Sequence, residues 1–236
     1  MLFAALVVSA PAFSQDLKTV KSPDGQIEFR IFEGEQKDTT LYRLGYQVFY
    51  RGKQLLDTSF LGFDIWEQEP LLGENVGMTE SSAEPHGEYN AFVGKYMQNG
   101  SLGRSFNVEV RVYNSGIAFR YHLLRSSPLA ELFITEEITE LAVGVPVPAT
   151  ASLPFQIEQP GVGWIEVAEI PLEGYPRMSL GQSTSTVLVS RLSANPNRAH
   201  YVFAGKTPWT GPWRIIGIGP SRTAASTESI RAQLAR

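Results

Sequence analysis

Three carboxylates fall within five residues, Glu136, Glu137 and Glu140, in the segment FITEEITEL. In an extended strand Glu136, Ile138 and Glu140 share one face, while Glu137 and Thr139 share the other. A carboxylate pointing inward from a strand end could hold a hard cation such as Ca2+ through oxygen. The competing reading is a solvated strand edge whose negative charge guards against edge-to-edge aggregation. Histidines number three. His122 follows Tyr121 in an alternating segment and reads as structural or surface. His86 sits in the turn-like EPHGE segment, and His200 opens a strand with no acidic neighbour. Of the tryptophans, Trp66, Trp164, Trp209 and Trp213, most are expected in the core, although an indole face can also stack on a sugar. No nucleophile elbow, zinc-binding HExxH, P-loop or dinucleotide-binding glycine pattern occurs. The absence of cysteine excludes disulfides, thiolate metal sites and cysteine nucleophiles.

The frame that positions these residues is legible as period-two alternation broken by turn residues. Ser22-Pro23-Asp24-Gly25 is a turn signal, and residues 26–32 (QIEFRIF) alternate as a half-buried strand does. Residues 41–50 and 60–66 read as the next strands, the first closed by Arg51-Gly52-Lys53. Residues 106–113 (FNVEVRVY) and 117–123 (IAFRYHL) flank the tight turn Asn114-Ser115-Gly116. Further strands are expected at 164–170, 185–192, 200–203 and 213–218. Only residues 227–234 show a helical stripe. Residues 143–160, with four prolines, read as a loop. Many short strands joined by turns predict an all-β sandwich or barrel. No internal repeat divides the chain, so residues 15–236 form one β domain.

The chain has 236 residues, a formal net charge of −4, 43% hydrophobic and 19% charged residues. That is an ordinary globular mixture with length enough for a sizeable core. Mild acidity and the lack of a basic run argue against nucleic acid or an anionic membrane as partner. Residues 2–10 (LFAALVVSA) form an uncharged apolar run, with Ala12 and Ser14 at the −3 and −1 positions of a cut before Gln15. This predicts a signal peptide over residues 1–14 and a periplasmic or secreted protein. The run is too short to span a bilayer, so no membrane span is expected in the mature chain.

Several segments, in order, resemble the N-terminal domain of glycoside hydrolase family 97, exported bacterial α-glucosidases and α-galactosidases. Ser22-Pro23-Asp24-Gly25 opens the resemblance; residues 46–56 (YQVFYRGKQLL) and Leu61-Gly62-Phe63 follow. The sharpest match is RVYNSGIAFRY at 111–121, close to the family's RVYxxG[VI]AFRY. The acidic segment 134–141, Gly174-Tyr175-Pro176-Arg177-Met178 (family DYPxM), PWRIIGIG at 212–219 and Glu228-Ser229 complete it.

The resemblance implies a β-supersandwich like that of galactose mutarotases, packed against a (β/α)8 barrel that carries the catalytic carboxylates. It also implies that the domain lends one glutamate to a Ca2+ beside the active site. Glu137 is the candidate for that glutamate and Glu140 the second candidate. The chain would offer only a weak or incomplete Ca2+ site by itself. Two departures stand out. The family's NxYNE segment has as its nearest counterpart Gly94-Lys95-Tyr96-Met97-Gln98, and the chain stops at Arg236, where the barrel would begin. No catalytic residue is therefore expected in this chain. The expected partners are an α-linked glucoside or galactoside and a barrel supplied in cis or by a neighbouring gene. The alternative function is a stand-alone periplasmic carbohydrate-binding protein; an independent mutarotase-like enzyme is disfavoured by the contexts of the histidines.

Overall fold

The computed structural model describes residues 17–35, 42–100, 103–125, 129–197 and 199–235. The expected signal segment, residues 1–14, lies outside them. In chain order the strands are β1 (Lys18–Lys21), β2 (Ile27–Glu35), β3 (Tyr42–Tyr50), β4 (Lys53–Ile65), β5 (Val76–Pro85), β6 (Tyr89–Gln98), β7 (Ser105–Tyr113) and β8 (Gly116–Leu123). They continue as β9 (Glu131–Ala142), β10 (Thr150–Ala151), β11 (Phe155–Gln159), β12 (Gly163–Ile170), β13 (Met178–Thr184), β14 (Val187–Leu192), β15 (Phe203–Lys206), β16 (Trp209–Thr210) and β17 (Trp213–Gly219). One short helix, α1 (Glu228–Leu234), ends the described chain.

Two antiparallel sheets face one another. The first runs β1-β2-β3-β4-β9-β14-β13-β10 with β15 added on β9; the second runs β11-β12-β17-β8-β7-β6-β5 with β16 added on β8. The expected all-β sandwich is what the chain forms. Local chemistry sets the connections. At the first turn Ser22 Oγ donates to Asp24 Oδ1 at 2.6 Å and accepts the Ile27 amide at 3.0 Å, with Gly25 at φ +72°. In the β7–β8 hairpin Tyr113 pairs with Gly116 and Val112 with Ile117, so Asn114-Ser115 is the two-residue turn. Gly116 is required by close approach: at φ +149°, a Cβ there would lie 2.2 Å from the Ile216 carbonyl oxygen of β17.

Alternation buries one side of each sheet. Ile27, Phe29, Ile31, Leu44, Tyr46 and Val48 from the first sheet meet Val108, Val110, Val112, Ile117, Phe119 and Tyr121 from the second. Cross-sheet ring pairs lock the layers, Tyr46 on Phe119 at 5.9 Å and Phe63 edge-on to Tyr121 at 4.7 Å. Each such side chain contributes about 1.5–3 kcal/mol by leaving water. A smaller cluster on the outer face of the second sheet, Tyr113, Ala118, Ala168, Trp213, Ile215 and Ile230, seats α1.

Three sequence expectations are corrected. Residues 143–160 are not all loop, since they hold the short edge strands β10 and β11. The strand expected at 60–66 is β4, which begins at Lys53, and the β5–β6 hairpin and β13 were not anticipated. Among the tryptophans only Trp213 is fully buried; Trp66, Trp164 and Trp209 are half-buried.

Candidate functional site

The acidic strand reaches the interior through a bulge. In β9, Glu136 pairs with Asp64 but Ile134 pairs with Ile65, so one extra residue, Thr135, is accommodated. Beyond it Glu137 turns inward opposite Phe63, while Glu136 is exposed. Across the sandwich, Glu169 of β12 and Arg214 of β17 are direct cross-strand partners, and both point inward. These three charged side chains meet in the space between the sheets.

Arg214 is the hub. Its Nε and Nη2 donate to the two oxygens of Glu137 at 2.7 and 2.5 Å, and its Nη1 donates to Glu169 Oε2 at 2.5 Å. The Glu137 carboxylate also accepts Thr139 Oγ1 and the Tyr175 hydroxyl, both at 3.0 Å. Ser190 Oγ donates to the Glu137 carbonyl, which fixes the backbone beneath it. The second oxygen of Glu169 accepts Arg177 Nε at 2.8 Å and the Met178 amide at 3.3 Å. The Arg214, Glu137 and Glu169 side chains are only 1–2% exposed. Charges this deep persist only when paired and fully hydrogen-bonded, and both conditions hold. Burial works against the charge of Arg214, yet Glu137 more than offsets it and holds the guanidinium above its ordinary range. Burial, reinforced by Glu137, pushes the Tyr175 hydroxyl well up, so it stays a donor.

Glu137 and Glu140 do not come together. Glu140 lies on the opposite face of β9, half-buried, and accepts the Phe60 amide at 3.2 Å. Its carboxyl is pushed up by burial, with Arg43 acting in the other direction. The two side chains therefore cannot ligate one ion. Glu137 has both oxygens engaged by a guanidinium, a hydroxyl and a phenol, so the donor set around it does not fit a resident cation. Among the described residues no three His, Asp or Glu side chains converge into a metal-binding group.

A second polar cluster covers the outer face of β7 and β8. Glu109 accepts from Arg111 at 3.0 Å, Arg120 at 2.8 Å and His122 Nε2 at 3.0 Å, and His122 Nδ1 lies 3.0 Å from Thr210 Oγ1. Burial alone would raise the Glu109 carboxyl, but His122 and Arg120 hold it down to about 2. Arg111 and Arg120 lie over the Trp213 ring at 4.8 and 4.3 Å. Ser82, Glu84, His86, Tyr89, Glu109 and Arg111 line a shallow groove of about 260 Å³ beside it. With every Glu109 lone pair directed at a cation or imidazole, the cluster is a closed network rather than an acid–base pair. Both ring nitrogens of His122 are engaged, by Glu109 and Thr210. His200 stacks on Trp66 at 5.5 Å.

The profile of the family described as Glycosyl-hydrolase 97 N-terminal matches residues 20–151. The chain belongs to this family. A curated relative of the family 97 N-terminal domain, the retaining α-galactosidase of Bacteroides thetaiotaomicron, is 27% identical over 146 residues. The alignment spans 58% of this chain and 20% of that protein. Among solved structures, a variant of a glycoside hydrolase family 97 enzyme from Pseudoalteromonas sp. strain K8 superposes with a TM-score of 0.76 at 22% identity, covering 88% of this chain and 36% of that one. The same enzyme in complex with acarbose gives 0.74. A β-arabinopyranosidase gives 0.71 at 20% identity, over 86% of this chain and 40% of that one. These likenesses establish the sandwich fold, and the chain spans well under half the length of each relative.

The buried partners of Glu137 were missed by sequence reasoning, although signals for them exist. Glu169 falls on the inward-facing register of WIEVAEI with Ile165 and Val167, and a carboxylate at a core position demands a cation. Arg214 holds the corresponding inward position ahead of Ile216 and Ile218.

Proposed function

We propose that this chain is the accessory N-terminal β-sandwich of a family 97 α-glycosidase, packing on a (β/α)8 catalytic barrel and helping to frame a site for an α-linked glucoside or galactoside. The observation that carries the reading is the family match, together with an alignment that spans only a fifth of a curated α-galactosidase. The interior chemistry agrees with a non-catalytic role. Glycoside hydrolysis needs two carboxyl groups flanking an open scissile bond, about 5–5.5 Å apart for retention or 6.5–9.5 Å for inversion. Glu137 and Glu169 flank a buried guanidinium instead. Export to the periplasm or beyond follows from the apolar run and the Ala12/Ser14 cut signal. The mature protein isolated from the periplasm should then begin at Gln15 by intact mass.

The test has two arms. The purified chain should show no turnover of aryl α-glucosides or α-galactosides. Replacing the N-terminal domain of the Bacteroides α-galactosidase with this chain should give a folded enzyme with measurable activity, whereas the bare barrel should not. Turnover by the chain alone would overturn the accessory reading. An inactive, non-associating chimaera together with calorimetric binding of α-glucans by the isolated chain would favour the stand-alone binding protein.

A further inference from the structure

Two buried carboxylates, Glu137 and Glu169, meet between the sheets, and two guanidiniums reach them, Arg214 from within and Arg177 from outside. Arg214 is 2% exposed at its side chain, whereas Arg177 is 68% exposed and touches a carboxylate that is itself 2% exposed. Arg177 thus links the cluster to the surface. Its formal charges cancel, two negative against two positive. Each carboxylate oxygen has at least one donor: Arg214 and Thr139 on one oxygen of Glu137, Arg214 and Tyr175 on the other, Arg177 and the Met178 amide on one oxygen of Glu169, Arg214 on its second.

We propose that Arg214 and Arg177 are this domain's own counter-cations, closing its acidic interior to external metal, so that the chain keeps its structure without Ca2+. Ca2+ wants six to eight oxygen ligands. To use Glu137 it would have to displace a bidentate guanidinium, a hydroxyl and a phenol. Arg214 would then keep only Glu169, with its Nε and Nη2 left buried without acceptors, a costly loss for a charge this deep. Entry from the Glu169 side means expelling Arg177, and it gains one oxygen. This departs from what the family resemblance implies for the acidic strand. It stands independently of whether the chain serves a barrel.

The metal-stripped full chain is the material for the test. Thermal unfolding in 5 mM CaCl2 and in excess EDTA should differ by under about 1 °C. In labelled protein, the Arg214 Nε–H and Tyr175 ring resonances should hold their positions through a Ca2+ titration to the same concentration. Movement of either resonance along a saturating curve would overturn the proposal, as would a rise of several degrees on adding Ca2+ that Glu137→Gln abolishes. A rise that survives in Glu137→Gln would place the ion elsewhere on the surface and support closure of the clamp. If Glu137→Gln does not fold, the resonance titration on the unmodified chain decides alone.

Discussion

Replacing Arg214 with methionine keeps most of the side-chain volume and removes the charge. Glu137 and Glu169 would then face each other across the sandwich with side chains only 1–2% exposed. Glu137 retains Thr139 and Tyr175 as donors, and Glu169 retains Arg177 and the Met178 amide. Breaking one partner out of a buried ion pair costs about 3–5 kcal/mol, chiefly because the remaining charge stays desolvated. In a domain of this size about 1 kcal/mol moves the melting temperature by roughly 2–4 °C, so the expected loss is roughly 6–20 °C at neutral pH. The deficit should also depend on pH. In Arg214→Met the Glu137 carboxyl, buried without its cation, should have a folded-state pKa above the unfolded one. A group raised in this way stabilises the fold below its unfolded pKa and loses that contribution as pH rises through its folded pKa. The gap between wild type and variant should therefore shrink on going from pH 7.5 to pH 5. Urea unfolding followed by tryptophan fluorescence at both values measures it. A loss below about 1 kcal/mol, or a gap that widens on acidification, would refute the view that Arg214 neutralises this interior.

Glu109, held down to about 2 by His122 and Arg120 against burial, contributes stability that is present above its unfolded value and lost as pH falls from about 4.5 towards 2. Acid titration of Glu109→Gln should show a flatter profile over that window. Gly116→Ala would place a methyl 2.2 Å from the Ile216 oxygen and 2.9 Å from the Gly217 Cα, both backbone atoms. Calorimetry should show a loss of about 2–3 kcal/mol.

The sandwich was legible where a strand has one wet and one dry face. The β7–β8 hairpin reads directly from FNVEVRVY, NSG and IAFRYHL, because every second side chain enters the core. The β5–β6 hairpin gave no such signal. Residues 79–85 of β5 are all exposed on the outermost strand of the second sheet, so burial never selected an alternating pattern there. Prolines in residues 143–160 mark edges and turns, and the strands between them are too short to show a period. The bulge in β9 is hidden for a different reason. Nothing local in Ile134-Thr135-Glu136 announces the extra residue, which shows only in the pairing of β9 with β4.

Alternation did separate Glu137 from Glu140, and the structure keeps them on opposite faces. What alternation does not encode is the identity of the facing residue. Arg214 lies 77 positions from Glu137 and 45 from Glu169. Only the β12–β17 register, which sets Glu169 opposite Arg214, and the closure of one sheet on the other bring the three together. The clamp then reaches outward through neighbouring residues: Tyr175 anchors to Glu137 and Arg177 to Glu169, fixing both ends of the Tyr175-Pro176-Arg177 turn. That turn also walls a recess of about 300 Å³ with Ser193, Asn195 and Pro196. A charge cluster in the core thus determines the shape of one rim of the sandwich. In an accessory domain, a rim held rigid before association leaves less conformational entropy to be lost on docking. Under the accessory role proposed above, the clamp would preorganise that rim.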